Sequence, residues 1–576
     1  MFNLIFDTGL IPKLWKCAII KPIPKNSLMD PRIPLNYRGI SLLSTVYKMF
    51  SSILNRRLVT CLESNNLYAE EQNGFRACRS CLDHIFSLTS IIRGRKAQKK
   101  PTFVAYVDME KAFDRVDREL LFYKLISQGI GGKIYKCLQN LYHDSRSAVD
   151  VNGFVTPFFN TDFGVKQGDC ISPTLFGVFI NDLVKDLKDY ECGVDIDGIR
   201  RPCLLYADDI ALIAESETDL QNMLTILHNW CKKWRMRVNI NKSKIVHYRI
   251  KSQERTKVDF SFGNGKLEVT EKYKYLGLVL NEFLNYEVTA SILAESGGRA
   301  LGAVYNKFKQ IKGLGYNTYT TLYNSGVSPI LDYCSGVWGY SNFDKLNTIQ
   351  NRAIRFFLGV HRFAPNLAIN GDMGWVSCNT RKKTEMLKLW NRLLGMENDR
   401  LTKKIFLWDK GLCRNNWSSD LKKILTELNL LYLFDDNQMI DVDRAKQRLN
   451  NIVDDKWKND IGQVSKLRTY CTFKNEYQAE PYVKKLLNRG HRSLLAQLRI
   501  GILPLRIETG RYQNIPPEFR LCLVCDENVC EDECHFMFHC SLYDDPRQNL
   551  YSKIEEINPG FQNSASAGLI LVISVS

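Results

Sequence analysis

No apolar run in this 576-residue chain reaches the ~20 residues that a membrane-spanning helix requires, so no membrane partner is expected. The sequence has no internal repeat and no low-complexity segment, which excludes repeat architectures and structureless linkers. No signal-peptide pattern follows Met1, and most of the 18 cysteines stand singly along the chain. Free thiols in a reducing, intracellular compartment, nucleus or cytoplasm, are therefore expected. Acidic residues are scarce, 62 against 79 basic ones, which leaves a net charge of +17. That surplus serves either solubility or a polyanionic partner, most simply nucleic acid. Hydrophobic residues at 45% and charged residues at 24% exclude a disordered chain, and the length calls for several domains.

Two acidic turns carry the chemistry. In "FVAYVDMEKAFDRVDREL" (103–120) the apolar strand Val104–Val107 ends on Asp108. In "CLLYADDIALIAES" (203–216) two short apolar runs flank Asp208-Asp209, a β-hairpin with carboxylates at its tip. Each alone reads equally as a polar surface turn. Together they place three carboxylates at strand ends; if the strands are sheet neighbours, like charges converge and raise one another's pKa. Two Mg²⁺ ions resolve that repulsion, because Mg²⁺ takes oxygen ligands, keeps several waters and accepts substrate phosphates. Glu110, Asp114 and Asp117 fit helix starts and surface charge. The spacing predicts a helix from Asp219, capped by Ser216, with Leu220, Met223, Leu224, Leu227, Cys231 and Trp234 on one face. A second helix is predicted after Asp117, with Leu121 and Leu125 buried and Gly129 at its end. Residues 290–500 read mainly as helices, with "NGDMGW" and "DKGLCRNNWSSD" as loops.

The order of these blocks matters. "YVDMEKAF", "GVKQGDCISPTLFGVFINDL" (164–183) and "YADD" resemble motifs A, B and C of reverse transcriptases. "NYRGISLLSTVYK" and "QNGFRACRS" resemble the family's finger motifs, "NINKSK" its motif D and "YKYLG" its motif E. The style resembles non-LTR (LINE-type) retrotransposons, and "PILDYCSGVWG…LNTIQNRAIRFFLG" looks jockey-like.

The resemblance implies an α+β right-hand polymerase: fingers over 1–100, palm over 101–280, thumb over 281–364. A helical C-terminal region over 365–510, a zinc knuckle over 511–550 and a tail over 551–576 follow. It implies RNA-directed DNA polymerase activity, with dNTPs joined to a DNA primer on an RNA template. Asp108, Asp208 and Asp209 are then the Mg²⁺ ligands. Phe113 is the wall against a ribose 2′-hydroxyl, or else a core residue. Gln167 and Gly168 shape the nucleotide pocket, although Gly168 also fits a plain turn. Arg76 binds the triphosphate through guanidinium–phosphate pairing, with Arg38 assisting or else a surface charge. Lys244 is the proton donor to pyrophosphate, with Lys242 as competitor. Tyr275, Leu276 and Gly277 form a hairpin at the primer end, or a core strand.

Near the C-terminus, Cys522 and Cys525 at C-x2-C spacing, with His535 and Cys540, offer three thiolates and an imidazole for a tetrahedral structural zinc. His539, Cys530 and Cys534 are alternatives inside the cluster. The segment resembles the zinc-binding segment of many such elements.

The chain begins inside the family's earliest block, "IPKLWKCAIIKPIPK". An N-terminally truncated element copy without its endonuclease is therefore expected, needing that nuclease in trans. Two other readings remain: an RNA-binding fragment without catalysis, and an RNA-templated RNA polymerase. The closing "AGLILVISVS" is a short apolar tail, an edge strand or sequence unrelated to the fold.

Overall fold

The computed structural model describes residues 1–26, 29–311, 313–485 and 488–557; "AGLILVISVS" lies outside them. No described helix is long and apolar enough to cross a membrane. The described residues form two compact units, one from Met1–Asn285 with Arg392–Asp420, the other from Tyr286–Asn391 with the described residues after Asp420.

The first unit is mixed α and β. Its strands and helices, in chain order, begin with β1 (Cys17–Pro24), β2 (Tyr37–Leu42), α1 (Thr45–Ser64), α2 (Cys81–Ala97) and β3 (Thr102–Asp108). They continue with β4 (Arg146–Val151), α3 (Ser172–Asp189), β5 (Cys203–Tyr206), β6 (Asp209–Ala214), α4 (Glu217–Lys233) and β7 (Lys244–Tyr248). The last are β8 (Phe260–Phe262), β9 (Gly265–Val269), β10 (Lys272–Tyr275) and β11 (Leu278–Asn281).

A six-stranded sheet runs β8-β9-β7-β3-β6-β5, with β3 in the middle. Because side chains alternate along a strand, Phe103, Ala105 and Val107 of β3 and Ile210, Leu212 and Ala214 of β6 share one face. That face joins Leu175, Phe179, Leu183, Leu220, Leu224 and Leu227 of α3 and α4 in the core. The opposite face carries Asp108 and Tyr106, level with Asp209 and Ala211. A second sheet holds β2, β1 and β4.

Both helices read from the sequence form. Ser216 Oγ accepts from Asp219 N at 3.1 Å at the start of α4. Asp117 caps the helix Arg118–Ser127, whose Leu121 and Leu125 are buried.

Residues 392–420, read in the sequence as part of the C-terminal helical region, pack in the first unit. Arg392 donates to both carboxylate oxygens of Asp83 (3.0 and 2.9 Å). Arg93 meets Asp420 at 2.6 Å. A Cβ on Gly94 of α2 would lie 2.3 Å from Trp408, so the helix Leu401–Leu412 sits against bare backbone there.

The second unit is helical through its described length to residue 500, with α5 (Tyr286–Gln310), α6 (Asp344–Leu358), α7 (Asn366–Met373), α8 (Cys378–Leu394) and α9 (Val442–Ile461) among its elements. Stacked aromatics fill it: Tyr319 on Phe357 at 4.8 Å and Tyr323 on Trp375 at 4.3 Å. "NGDMGW" is not a loop but the last turn of α7, capped by Gly374. The buried Asp372 explains it, since it accepts from Tyr470 (3.0 Å) and Tyr482 (2.6 Å) and faces Arg499. Those tertiary partners outweigh the low helix propensity of Asn-Gly-Asp. "DKGLCRNNWSSD" likewise begins in the helix Leu401–Leu412 and ends in the helix Trp417–Glu427.

Candidate active site

β5 and β6 pair so that Tyr206 faces Asp209, which leaves a two-residue turn, Ala207-Asp208. Ala207 has φ +57°, a left-handed conformation that a residue with a Cβ adopts only when its surroundings impose it. They do. Asn73 N donates to Leu205 O (2.9 Å), Leu205 N to Glu71 O (2.8 Å) and Ala207 N to Gln72 Oε1 (3.1 Å). The segment Glu71–Gly74 thus runs beside the hairpin and clamps its tip. A Cβ on Gly74 would lie 2.2 Å from Ala207 N, so only glycine fits.

The register of β6 on β3 sets Asp209 opposite Asp108. Asp208 and Asp108 line the same cleft, of about 690 Å³. Burial raises the Asp208 pKa and the Asp108 charge adds to it, while a backbone hydrogen bond and Arg38 oppose the rise. Burial, then the charges of Asp208 and Asp108, push Asp209 up to about 6. The cation beside this cluster is Lys242, with Nζ 3.6 Å from Asp108 Oδ2. Lys242 is the only cation in ion-pair contact with the three carboxylates among the described residues, and Arg38 only partly offsets the rise at Asp208, so the set fits divalent cations.

The rest of the cleft is the sequence-predicted pocket in part. Phe113 stacks on Phe176 at 4.9 Å, and it lines the cleft with Gln167, Gly168 and Arg38. Gln167 O accepts from Ser41 N at 2.7 Å, and Gly168 has φ +108° with its Cβ position 2.9 Å from Ser41 O. Gly168 is therefore sterically obligatory where the turn meets the segment after β2.

Three of the expected site residues, Arg76, Lys244 and Tyr275, are not among those lining the cleft. Arg76 does not reach the cleft: it is buried, donates to both carboxylate oxygens of Glu63 (2.8 and 2.6 Å) and to the carbonyls of Ala69 and Gln72. Its guanidinium ties the Gln72 segment to α1. Lys244 pairs with Glu268 of β9 at 2.7 Å. The register that sets Lys244 opposite Tyr106 carries Lys242, two residues earlier, to the level of Asp108. Tyr275 is core: its side chain is buried, with its ring 5.2 Å from Tyr106 and its hydroxyl 3.4 Å from His84 Nδ1. Leu276 and Gly277, with φ +44° and +86°, form the tip of the β10–β11 hairpin. Tyr273 instead stacks on Tyr106 at 4.4 Å, and burial followed by the charges of Asp209 and Asp108 pushes its phenol up to about 12.

Three lysines lining the cleft were not singled out from the sequence: Lys25, Lys111 and Lys166. Lys166 is buried, its Nζ has no hydrogen-bond partner among the described residues, and desolvation lowers it to about 8 against the pull of Asp169. A lysine inside the turn "GVKQGD" was the available signal.

In the second unit Cys522, Cys525, His535 and Cys540 place their ligand atoms within 4.8 Å of one another. Cys525 Sγ lies 3.3 Å from His535 Nε2. Cys522 N bonds Val529 O at 2.8 Å, and Cys540 N bonds His535 O at 2.8 Å, so short local turns hold the donors. His539 and Cys534 are exposed, and Cys530 Sγ donates to Pro517 O at 3.6 Å. Three soft sulfurs and one imbalanced imidazole, with Nδ1 buried and unpartnered among the described residues, fit a tetrahedral metal.

The sequence pattern of the reverse transcriptase (RNA-dependent DNA polymerase) family matches residues 23–280. Over 419 residues the chain is 29% identical to the probable RNA-directed DNA polymerase from transposon BS of Drosophila melanogaster, covering 69% of this chain and 45% of that protein. Over 383 residues it is 25% identical to the RNA-directed DNA polymerase from mobile element jockey of the same organism, covering 65% and 41%. The chain thus spans less than half the length of these relatives. Among solved structures, apo telomerase from Candida tropicalis is similar over 70% of this chain and 72% of that one, at 13% identity and a TM-score of 0.36.

Proposed function

We propose, from the premise that residues 23–280 belong to the reverse transcriptase family, that this chain synthesises DNA on an RNA template, in the manner of non-LTR retrotransposon polymerases. The observation that carries the reading is the meeting of Asp108, Asp208 and Asp209 at one end of the sheet, beside Phe113, Gln167 and Arg38. Two Mg²⁺ ions held by these carboxylates would activate a primer 3′-hydroxyl and stabilise the leaving pyrophosphate. Arg38, Lys25 and Lys111 supply positive charge for the triphosphate. Lys242 is the residue placed to give a proton to pyrophosphate. Phe113, backed by Phe176, stands as a rigid wall where a ribose 2′-hydroxyl would enter, which favours dNTPs. The Leu276-Gly277 tip offers backbone to the primer end. The surplus of basic residues holds template and primer through phosphates, so binding weakens steeply with salt. Cys522, Cys525, His535 and Cys540 would hold a zinc ion, whose bonds would keep their small module folded.

Primer extension on an RNA template tests the reading. Wild-type chain with Mg²⁺ and dNTPs extends the primer, and Asp208→Ala does not. RNA binding without extension would favour the non-catalytic fragment. Equal use of rNTPs would overturn the role of Phe113.

A further inference from the structure

The second unit holds a cleft of about 540 Å³ between α6, α7, the start of α8 and α9. Six asparagines line it: Asn342, Asn347, Asn351, Asn366, Asn370 and Asn379. Asparagine is a poor residue inside helices, because its side chain competes for backbone hydrogen bonds. Asn347, Asn351 and Asn370 nevertheless stand inside α6 and α7, beside Asn342 ahead of α6 and Asn366 and Asn379 in first helical turns, so helix propensity gives no reason for the three interior amides.

The amides are coupled in pairs. Asn347 Nδ2 donates to Asn342 Oδ1 at 2.8 Å. Asn370 Nδ2 donates to Asn351 Oδ1 at 2.9 Å and to Asn366 O at 2.7 Å. The Asn351 amino group and the Asn370 carbonyl are left without partners among the described residues, a donor and an acceptor from one coupled pair. Asn347 and Asn351 lie four residues apart on α6, so the two pairs repeat at about one helical turn, ~5.4 Å. Asn379 Oδ1 is buried and also unpartnered among the described residues. Trp457 and Tyr477 also line it, and their polar tips are already committed to Leu367 O (2.9 Å) and Trp375 O (3.1 Å). They offer the cleft apolar ring surface.

A ligand for such a wall is neutral and carries donors and acceptors side by side. A nucleobase edge and a peptide backbone both qualify. The neighbouring groove decides between them. It lies between α5 and α6, measures about 550 Å³ and meets the cleft at Thr348, which lines both. Arg299, Lys345 and Arg352 line it against one acid, Glu295. Arg299 bonds Ser296 Oγ (2.9 Å) and Lys345 bonds Ser291 Oγ (2.8 Å), and none of the three cations has an acidic partner among the described residues. Gly298 leaves that helix face bare, with no atom nearer its Cβ position than Ile349 Cδ1 at 3.6 Å. Asp344 and Asp460 in the cleft itself outnumber its one lysine, Lys456, so the cleft disfavours phosphate more than the groove does and offers carboxylates to base amino groups. Phosphates in the groove and bases in the cleft satisfy both surfaces.

We infer that the asparagine-lined cleft and its basic groove form a reading site for unpaired RNA, in which the amide pairs take base edges and Arg299, Lys345 and Arg352 take the adjoining phosphates. The base must be unpaired, since a duplex hides its edge. Adenine is the best match, because its N6 donor and N7 acceptor are the groups an asparagine amide pairs with. The inference rests on the RNA-handling activity proposed above and adds to it a second RNA contact that distinguishes one sequence from another.

Fluorescence anisotropy of the zinc-loaded full chain with labelled A-rich, U-rich and C-rich single-stranded RNA, and A-rich single-stranded DNA, tests it. Wild-type chain binds A-rich RNA roughly tenfold more tightly than U-rich RNA. Asn351→Leu/Asn370→Leu brings the preference within twofold, and the milder Asn351→Ser/Asn370→Ser does the same if the first pair misfolds. Arg299→Ala/Arg352→Ala weakens every RNA alike and lowers the salt slope by about 2. No base preference in wild type, or a preference unchanged by both asparagine pairs, overturns the site. A-rich DNA bound as tightly as A-rich RNA overturns the assignment to RNA, and competition by an unrelated asparagine-rich or basic peptide but not by RNA assigns the cleft to protein instead. Primer extension without base preference defeats this inference alone. Base preference without extension defeats the catalytic reading alone.

Discussion

Asp108 and Asp209 are register partners on adjacent antiparallel strands, two carboxylates directly opposite each other. Like charges in that position oppose strand pairing. After burial, the charges of Asp208 and Asp108 hold the Asp209 carboxyl above its usual range. Asp208, one residue away on the turn, adds a third charge. A cation held by the three carboxylates would offset that repulsion.

Arg38 and Arg76 should separate in function. Arg38→Ala, in the cleft, raises the KM for dNTP with the melting temperature unchanged. Arg76→Met leaves Glu63 without its partner and frees the segment that clamps the hairpin. Glu63 is partly exposed, so the larger cost is that of the Ala69 and Gln72 carbonyls left without their donor, roughly 1–3 kcal/mol, which thermal unfolding reads as a loss of stability. An Arg76 variant with native stability and a raised KM for dNTP would restore the triphosphate role.

Lys242 and Lys244 give a second contrast. Lys242→Ala lowers kcat by about 10² or more if it supplies the proton, and the loss grows less steep when the leaving group is more acidic. Lys244→Ala removes a partly exposed ion pair with Glu268, at a cost under about 1 kcal/mol. Pre-steady-state incorporation with normal dNTPs and β,γ-difluoromethylene dNTPs, whose leaving group is more acidic, measures both; a larger defect for Lys244→Ala would reverse the assignment.

Gly74 tests the clamp without touching a charge. In Gly74→Ala the new Cβ meets Ala207 N at 2.2 Å, so the turn carrying Asp208 must move. A displacement of about 1 Å costs on the order of 10²-fold in rate. Extension by Gly74→Ala at the wild-type rate would show that the segment does not position the Asp208 turn for the proposed reaction.

These residues mark where the sequence is legible. Asp108, Asp208 and Asp209 stand out because each interrupts or ends an apolar run of strand length. The choice between Lys242 and Lys244 does not, because it depends on the register of β7 against β3, and a two-residue difference leaves the face pattern unchanged. Arg76 was misread since its partner Glu63 lies on α1, and nothing local announces the pair. The capped helix from Glu217 was readable from spacing alone. The docking of residues 392–420 on α2 was not, because an amphipathic pattern shows which face is buried and not what covers it.

Zinc removal checks the C-terminal cluster. The purified chain should carry about one zinc, and Cys540→Ser or chelation should release it and unfold the module, seen as protease cleavage near residues 520–545. Less than about half a zinc per chain, with unchanged protease resistance on chelation, would contradict a metal role.

Mn²⁺ binding followed by electron paramagnetic resonance tests the central claim most directly. In the zinc-loaded chain with a terminated primer on RNA and a dNTP, two Mn²⁺ ions bind at pH 7.5, and Asp108→Asn or Asp208→Asn removes at least one. Because the Asp209 pKa is raised to about 6, the folded metal-free chain holds its proton more tightly than the unfolded one. That group's stabilising contribution is full below about pH 4 and lost as pH rises through 6, so Mn²⁺ affinity falls at pH 5.5. Mn²⁺ binding that is unchanged in both variants, or absent in the wild-type complex, would contradict the account.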